Sequence, residues 1–343
     1  MVIEQPSANG NGQGAAPPLL AVRGLGKRFP VGGWFRRAQV HALEDASFTL
    51  ERGRVTALVG ESGSGKSTTA RLIARLIAPS AGEIVLNGRN VLQSEPRSAS
   101  LAYRADVQMI FQDPFASLNP VHTIGYHLER PLRVHAKTRG GAEQREQIAA
   151  LLASVGLAPA GEFVDKFPHE LSGGQRQRVA FARALAVDPA VMLADEPISM
   201  LDVSIRMGIL NLMERLKEER GIAYLYITHD LASARYIADE TIVMYAGRMV
   251  EGAGADELVR HPAHPYAQLL LSAVPDPRAR RTRQIRARSE IPSLIDPPPG
   301  CPFANRCPHM MDVCRQVMPG VVTIAPNHWV RCYLYGVGTS VSR

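Results

Sequence analysis

Apolar residues along this chain switch between two periods. "VHALEDASFTL" at 40–50 alternates loosely, and "RVTALVG" at 54–60 is a continuous β-branched run. Both read as strands, the second buried on both faces. "STTARLIARLI" from Ser67 then repeats its apolar residues at helical spacing. The stretch is therefore strand, tight loop, helix. "GEIVLNG" and "VQMIF" read as short strands. From about Phe115 to Ala186 the pattern is mostly helical, with amphipathic segments near 124–134 and 143–155. "AVMLADEP" is a buried strand ending in two acids, "IRMGILNLMERLKEE" a helix, and "IAYLYITHD" a strand ending in His229 and Asp230. "ETIVMYAGRMVEGA" reads as a hairpin. After about His261 the texture turns to Pro, Arg and Cys. Strands alternating with helices predict a parallel α/β core, interrupted by a helical insert.

Composition adds bounds. The chain has 343 residues, 45% apolar and 21% charged, enough for two or three packed units. No apolar run reaches the ~18–20 residues that span a bilayer. The N-terminal stretch to residue 19 lacks the basic start and apolar core of a signal peptide and reads as a flexible polar arm. The expectation is a protein of a reducing cytosol. Net charge is +7, with six arginines between Arg278 and Arg288. That run reads either as a phosphate-contacting patch or as a solvated linker. No aromatic residue interrupts it to stack on bases.

The sharpest local signal is "GESGSGKST". Gly60, Gly65, Lys66 and Ser67 fit G-x-x-x-x-G-K-[ST], a loop whose backbone N–H groups surround phosphate oxygens. The residues expected to touch ATP are Gly60, Glu61, Ser62, Gly63, Ser64, Gly65, Lys66, Ser67 and Thr68. Lys66 reaches the β- and γ-phosphates and Ser67 holds Mg²⁺. Asp195 and Glu196 follow a buried strand. A carboxylate there can face the same Mg²⁺, and the next one can act as general base on water.

"LSGGQRQR" at 171–178 resembles the signature of ABC ATPases, and other pieces then fall into that family's order. Gln112 in "IFQDP" resembles the Q-loop, Asp202 the D-loop and His229 the switch histidine. Phe29 resembles the adenine-stacking aromatic, with Trp34 and Phe35 as competitors. The resemblance implies a P-loop, RecA-like nucleotide-binding domain over 20–260, its helical subdomain at about 115–186. It implies that two such domains sandwich two ATP molecules. Leu171, Ser172, Gly173, Gly174 and Gln175 would meet the ATP of the partner, and Gln112 would join Ser67 and Asp195 at Mg²⁺. Lys66, Gln112, Glu196 and His229 would be the catalytic set. Met200 departs from the small residue usual in the D-loop.

"VGESGSGKSTTARLI", "IFQDPFASLNP", "DEPISMLDVSI" and "HPAHPYAQLLLSAVP" resemble the ATPases of oligopeptide/dipeptide importers. Relatives that import nickel or small glycosides share much of this. The resemblance implies a second ATPase subunit, either a paralogue or the same chain, and two permease subunits docking near residues 115–132. An extracytoplasmic peptide-binding protein and a peripheral position on the cytoplasmic side of the membrane complete it. A soluble ABC ATPase of translation or DNA repair is the rival. It generally carries two nucleotide domains or a long coiled-coil insert, and neither is present. No nucleic-acid partner is expected. The extension from 261 to 343 holds Cys301, Cys307, Cys314 and Cys332, the chain's four cysteines. Their spacing lacks the close C-x2–4-C pair of zinc sites. The alternatives are a four-iron cluster, which the family resemblance implies, zinc with His309 or His328, and free thiols. A small Pro-rich tail without its own core needs such a staple.

Overall fold

The computed structural model describes residues 17–32, 38–113, 117–138, 140–273 and 293–336. Its strands are β1 (Leu20–Val31), β2 (Ala38–Leu50), β3 (Val55–Val59), β4 (Ala81–Leu86), β5 (Arg89–Asn90) and β6 (Val107–Ile110). They continue with β7 (Val191–Asp195), β8 (Ala223–Thr228), β9 (Glu240–Tyr245), β10 (Arg248–Gly254), β11 (Val322–Ala325) and β12 (His328–Val330). The longer helices are α1 (Lys66–Ile73), α2 (Ile124–Val134), α3 (Gly141–Ser154), α4 (Gly173–Leu185), α5 (Val203–Arg220), α6 (Leu231–Ile237) and α7 (Pro265–Ser272).

Two sheets divide the work. The larger runs β11-β12-β10-β9-β3-β8-β7-β6 and the smaller β2-β1-β4-β5. Within the larger sheet β3, β6, β7, β8 and β9 pair in parallel. Every residue of β3, β7 and β8 is buried, as parallel strands covered on both faces require. Successive side chains go to opposite faces. Val55, Ala57, Val59, Tyr224 and Tyr226 join the core shared with the helical segment, including Leu128, Leu152 and Phe181. Leu58, Leu225 and Ile227 face the other way, toward Leu20, Leu43 and Leu72. The phosphate-binding loop lies between β3 and α1, and the acidic pair at the end of β7. Both are therefore held by strands packed on two sides.

The sheets differ from the sequence expectation in two places. β1 is a twelve-residue strand that the apolar pattern does not announce. Its pairing with β2 shifts register between Val22 and Leu25, Leu25 and Lys27, and Lys27 and Arg28, so strict alternation is lost. The tail also contributes strands. β12 pairs antiparallel with β10, and β11 with β12, so the larger sheet is mixed. Trp329 of β12 lies against Gly252, where a Cβ would sit 2.5 Å from the indole ring. A fully buried carboxylate ties this edge together. Glu251 accepts from the backbone N–H of Ala263 at 2.8 Å and of His264 at 2.7 Å, and from His328 Nε2 at 2.8 Å. No helix among the described residues is long and apolar enough to cross a membrane. The arginine run at 278–288, the arm before residue 17, and Trp34 and Phe35 lie outside the described residues.

Candidate nucleotide site

Glycine shapes the loop where the chain must pass close to other backbone. Gly60 has φ +155°, and a Cβ there would lie 2.1 Å from the Met244 carbonyl oxygen. Gly65 has φ +103°, and a Cβ there would lie 2.7 Å from the Ala42 carbonyl oxygen. Both positions exclude a side chain for reasons of space and conformation together. Gly65 leads directly into α1, whose first turn presents unpaired N–H groups to an anion. Ser64 is buried and accepts the Gly247 N–H at 2.9 Å through its carbonyl, while Ser62 and Gly63 are exposed and Thr68 half-buried.

Lys66 is buried at the loop's centre. Its Nζ donates to the carbonyls of Gly60 at 2.7 Å and Glu61 at 2.8 Å. A third contact reaches Ser64 Oγ at 3.3 Å. Burial pushes its pKa down, and Glu196, Asp195 and Glu61 pull it partly back. The Ser67 hydroxyl donates to Asp195 Oδ1 at 2.9 Å, which joins the loop to β7. Burial holds the Asp195 carboxyl above its ordinary range, opposed by Ser67, Arg71 and Lys66. A buried acid in that state favours a nearby cation.

Glu196 follows Asp195 in a left-handed backbone conformation, φ +46°, which is uncommon for a residue with a side chain. Its N–H donates to the Ile227 carbonyl at 2.9 Å. The turn carries its carboxylate between two other side chains. Gln112 Nε2 donates to Oε2 at 3.0 Å, and His229 Nδ1 lies 3.2 Å from Oε1. Residues 112, 196 and 229 stand at the carboxyl ends of neighbouring strands, β6, β7 and β8, so the sheet order assembles the trio.

The signature residues stand apart from this cluster. Ser172 caps α4, its hydroxyl accepting the Gln175 N–H at 3.2 Å while Gln175 Oε1 accepts the Ser172 N–H at 2.9 Å. That reciprocal cap fixes the start of the helix. Leu171 and Gly174 are buried and Ser172 exposed. A Cβ on Gly174 would meet Ile205 of α5 at 2.5 Å. Among the described residues no hydrogen bond joins residues 171–175 to residues 60–68. Asp202 stands exposed at the N-terminus of α5, and Met200 beside it is 54% exposed. Phe29 is exposed opposite Val40 in the β1–β2 ladder, two residues from Ala42, whose carbonyl packs on Gly65.

The four cysteines also converge. Cys301, Cys307, Cys314 and Cys332 line one cavity with His264 and His309, and the Cys301 N–H donates to the Cys314 carbonyl at 2.7 Å. Burial pushes the Cys301 thiol up to about 12, with the other three cysteines adding to the rise. No three His, Cys, Asp or Glu side chains among the described residues are gathered to hold a single metal ion. Neither the zinc alternative nor the four-iron cluster therefore finds a gathered donor set among the described residues.

Sequence reasoning missed three residues at this site. Tyr266 of α7 accepts the Glu61 N–H on its hydroxyl at 2.8 Å. Arg306, between Cys301 and Cys307, donates to both carboxylate oxygens of Glu61 at 2.9 and 3.1 Å. Tyr245 packs beneath that guanidinium and accepts from it at 3.2 Å. Their sequence separations from Glu61 reach 245 residues, and no local pattern signals such a pairing.

A phosphate loop between a buried strand and a helix, strand-end acids beside it, and a capped glycine pair on a helical segment define an ABC-type ATPase. Residues 43–199 match the ABC transporter family and residues 250–314 match the oligopeptide/dipeptide transporter C-terminal region. The oligopeptide transport ATP-binding protein AppF of Bacillus subtilis is 43% identical over 323 residues, 92% of this chain and 97% of that protein. The dipeptide transport ATP-binding protein DppF of Escherichia coli is 45% identical over 306 residues, 88% of this chain and 90% of that one. The ATP-binding cassette MJ0796, solved as a dimer with ADP and Pi, superposes with a TM-score of 0.59 at 30% identity. It covers 69% of this chain and 98% of its own. The chain belongs to the ABC transporter ATP-binding proteins, in the branch that carries the oligopeptide/dipeptide C-terminal region.

Proposed function

We propose that this chain hydrolyses ATP to drive import of di- and oligopeptides, lying peripherally on the cytoplasmic side of the membrane. The observation that carries the mechanism is the Glu196 carboxylate, suspended between Gln112 and His229 one residue beyond Asp195. ATP phosphates enter the loop of residues 60–68, and Lys66 exchanges its two backbone carbonyls for phosphate oxygens. Ser67, Asp195 and Gln112 are the residues that would hold Mg²⁺, whose charge offsets that of the β- and γ-phosphates when bound. Glu196 takes the proton from water as the new O–Pγ bond forms. The bond from Pγ to the β-phosphate oxygen breaks, leaving ADP and phosphate. His229 stabilises charge on the γ-phosphoryl group, and Phe29 stacks on adenine.

A second nucleotide domain, either another copy of this chain or a paralogue, completes each site. Its signature loop would cap the γ-phosphate, as Leu171–Gln175 here would cap the partner's. Asp202 and the exposed Met200 lie at that junction. Two permease subunits would dock beside the Gln112 loop, and an extracytoplasmic protein would deliver the peptide. The four cysteines line one cavity, and soft thiolates are the ligands that a four-iron cluster takes. Cys301, Cys307, Cys314 and Cys332 would hold it, and its contribution would be to staple the tail.

Glu196→Gln tests the mechanism. It keeps the size of the side chain and removes the base. Turnover is expected to fall at least ~10²-fold with ATP still bound. In a strain lacking this gene, the unaltered chain should restore uptake of labelled peptides and E196Q should not. Wild-type turnover by E196Q would overturn the assignment of the base. Restored uptake of nickel or a glycoside alone would overturn the cargo.

A further inference from the structure

The tail does more than extend the sheet, because it touches the nucleotide loop at one residue. Glu61, first after Gly60, is held on three sides. Its N–H donates to the Tyr266 hydroxyl at 2.8 Å, and its carbonyl accepts Lys66 Nζ at 2.8 Å. Its carboxylate takes two parallel N–H groups from Arg306 at 2.9 and 3.1 Å. Two of those three partners come from beyond residue 260. Arg306 is only 10% exposed and Glu61 26%, so this is a forked, largely desolvated pair rather than a loose surface contact. The guanidinium is fixed on its far side as well. It lies over the rings of Tyr245 at 5.6 Å and Phe303 at 5.7 Å. Its Nε is buried without a partner, a cost that the fork to Glu61 offsets.

These contacts have a directional consequence. The Tyr266 bond fixes the Gly60–Glu61 peptide, whose other end, the Gly60 carbonyl, accepts Lys66 Nζ at 2.7 Å. The Arg306 fork fixes the Glu61 side chain, and the Glu61 carbonyl also accepts Lys66, so the tail bears on both residues whose carbonyls seat the ammonium. We propose that Arg306 is a positioning residue of the nucleotide site, through which the cysteine-bearing tail holds the phosphate loop in its binding conformation before ATP arrives. Preorganisation of this kind lowers the ordering cost of binding. Arg306 touches no reacting atom, so its effect falls on nucleotide affinity and not on the chemical step. The inference rests on the nucleotide reading above, and adds that Tyr266 and Arg306 brace the ATP site from outside the loop. Arg306 lies between Cys301 and Cys307, so the cavity those cysteines line and the loop's brace share one short segment.

The test uses the full-length chain. Mg-ATP and Mg-ADP binding is titrated calorimetrically, with KM and kcat measured alongside, for Arg306→Ala, Arg306→Lys, Glu61→Gln and the pair R306A/E61Q. R306A is expected to weaken both nucleotides roughly tenfold, about 1.4 kcal/mol, with kcat within about twofold. R306K keeps the charge but not the fork, and should lose roughly threefold. E61Q should resemble R306K, and the double variant should be no weaker than R306A, because both changes break one interaction. Unchanged affinity in R306A, with only its melting temperature lowered, would reduce the contact to an anchor for the tail and overturn the proposal. Additive losses in the double variant would do the same. If R306A fails to fold, the affinities of R306K and E61Q decide between brace and anchor, because those changes leave the tail's packing in place. An inactive unaltered chain would instead strike at the ATPase reading itself, which E196Q tests separately.

Discussion

A single methyl group separates two of the loop's glycines. Both Gly60 and Gly63 have positive φ, but only Gly60 is crowded: a Cβ there meets the Met244 carbonyl at 2.1 Å, and one on Gly63 meets nothing within 4 Å. Gly63→Ala therefore carries only the conformational cost of a left-handed alanine, about 1–2 kcal/mol. Gly60→Ala must also push the loop off β9, and it moves the carbonyl that holds Lys66 at 2.7 Å. We expect G60A to lose the thermal stabilisation that Mg-ATP confers, and G63A to retain most of it. Melting curves with and without nucleotide decide the matter, and equal behaviour of the two variants would show that the approach to Met244 is irrelevant. The sequence made the first half of this legible, since glycines at these spacings announce a phosphate loop. It could not show which glycine is jammed against a strand more than 180 residues further along.

Elements were readable where an apolar run is unbroken, as in β3, β7 and β8, which are buried on both faces, or where the helical period is clean, as in α2 and α5. The order β8-β7-β6 brings Gln112, Glu196 and His229 to the carboxyl end of the sheet. β1 escaped because its register slips and its glycines at 24 and 26 break the alternation. β12 escaped because three residues carry no period at all. α2 carries a pH dependence that no periodicity shows. His127, inside it, is buried, and its Nε2 donates to the Asn119 carbonyl at 3.0 Å. Burial lowers its pKa. The Asn119 carbonyl opposes this, while Arg183 of α4 and His122 add to the lowering. The unfolded chain, with an ordinary histidine near ~6.5, then takes up the proton first. The stability that His127 contributes is complete above that value and is lost as pH falls toward the folded pKa, at up to ~1.4 kcal/mol per pH unit. His127→Gln keeps an N–H for Asn119 and removes the titration. Denaturant midpoints at about pH 7 and about pH 5.5 should drop less in H127Q than in the unaltered chain. A drop of the same size in both would mean that another group sets the acid limb.

At the scale of the whole molecule, the part least legible in the sequence is how the tail returns. Cysteine spacing says that four thiols lie within 32 positions of one another. It does not say that they close on one cavity. Nor does it say that the segment carrying them is clasped by Glu251 on one side and reaches Glu61 on the other. Those facts depend on contacts between residues 245 and 77 positions apart, which folding creates and no local pattern encodes. They also sharpen what the thiols are for. His264 lies on the cavity wall and also caps α7, its Nδ1 accepting the Tyr266 N–H at 3.0 Å. Tyr266 in turn holds Glu61. Whatever fills the cavity thus bears on α7 and on the Arg306 segment together. A cluster held by Cys301, Cys307, Cys314 and Cys332 would lock both at once. Protein prepared without oxygen should be brown, with about four irons and four sulfides per chain. Cys314→Ser, which alters the one cysteine of the four whose residue is buried overall, should remove most of that iron and lower the melting temperature. Its nucleotide affinity should fall in the same direction as that of R306A. Stoichiometric zinc without iron would overturn the cluster reading. A metal-free protein whose melting point and nucleotide affinity match those of C314S would show that packing alone seats the tail, with Arg306 as its link to the phosphate loop.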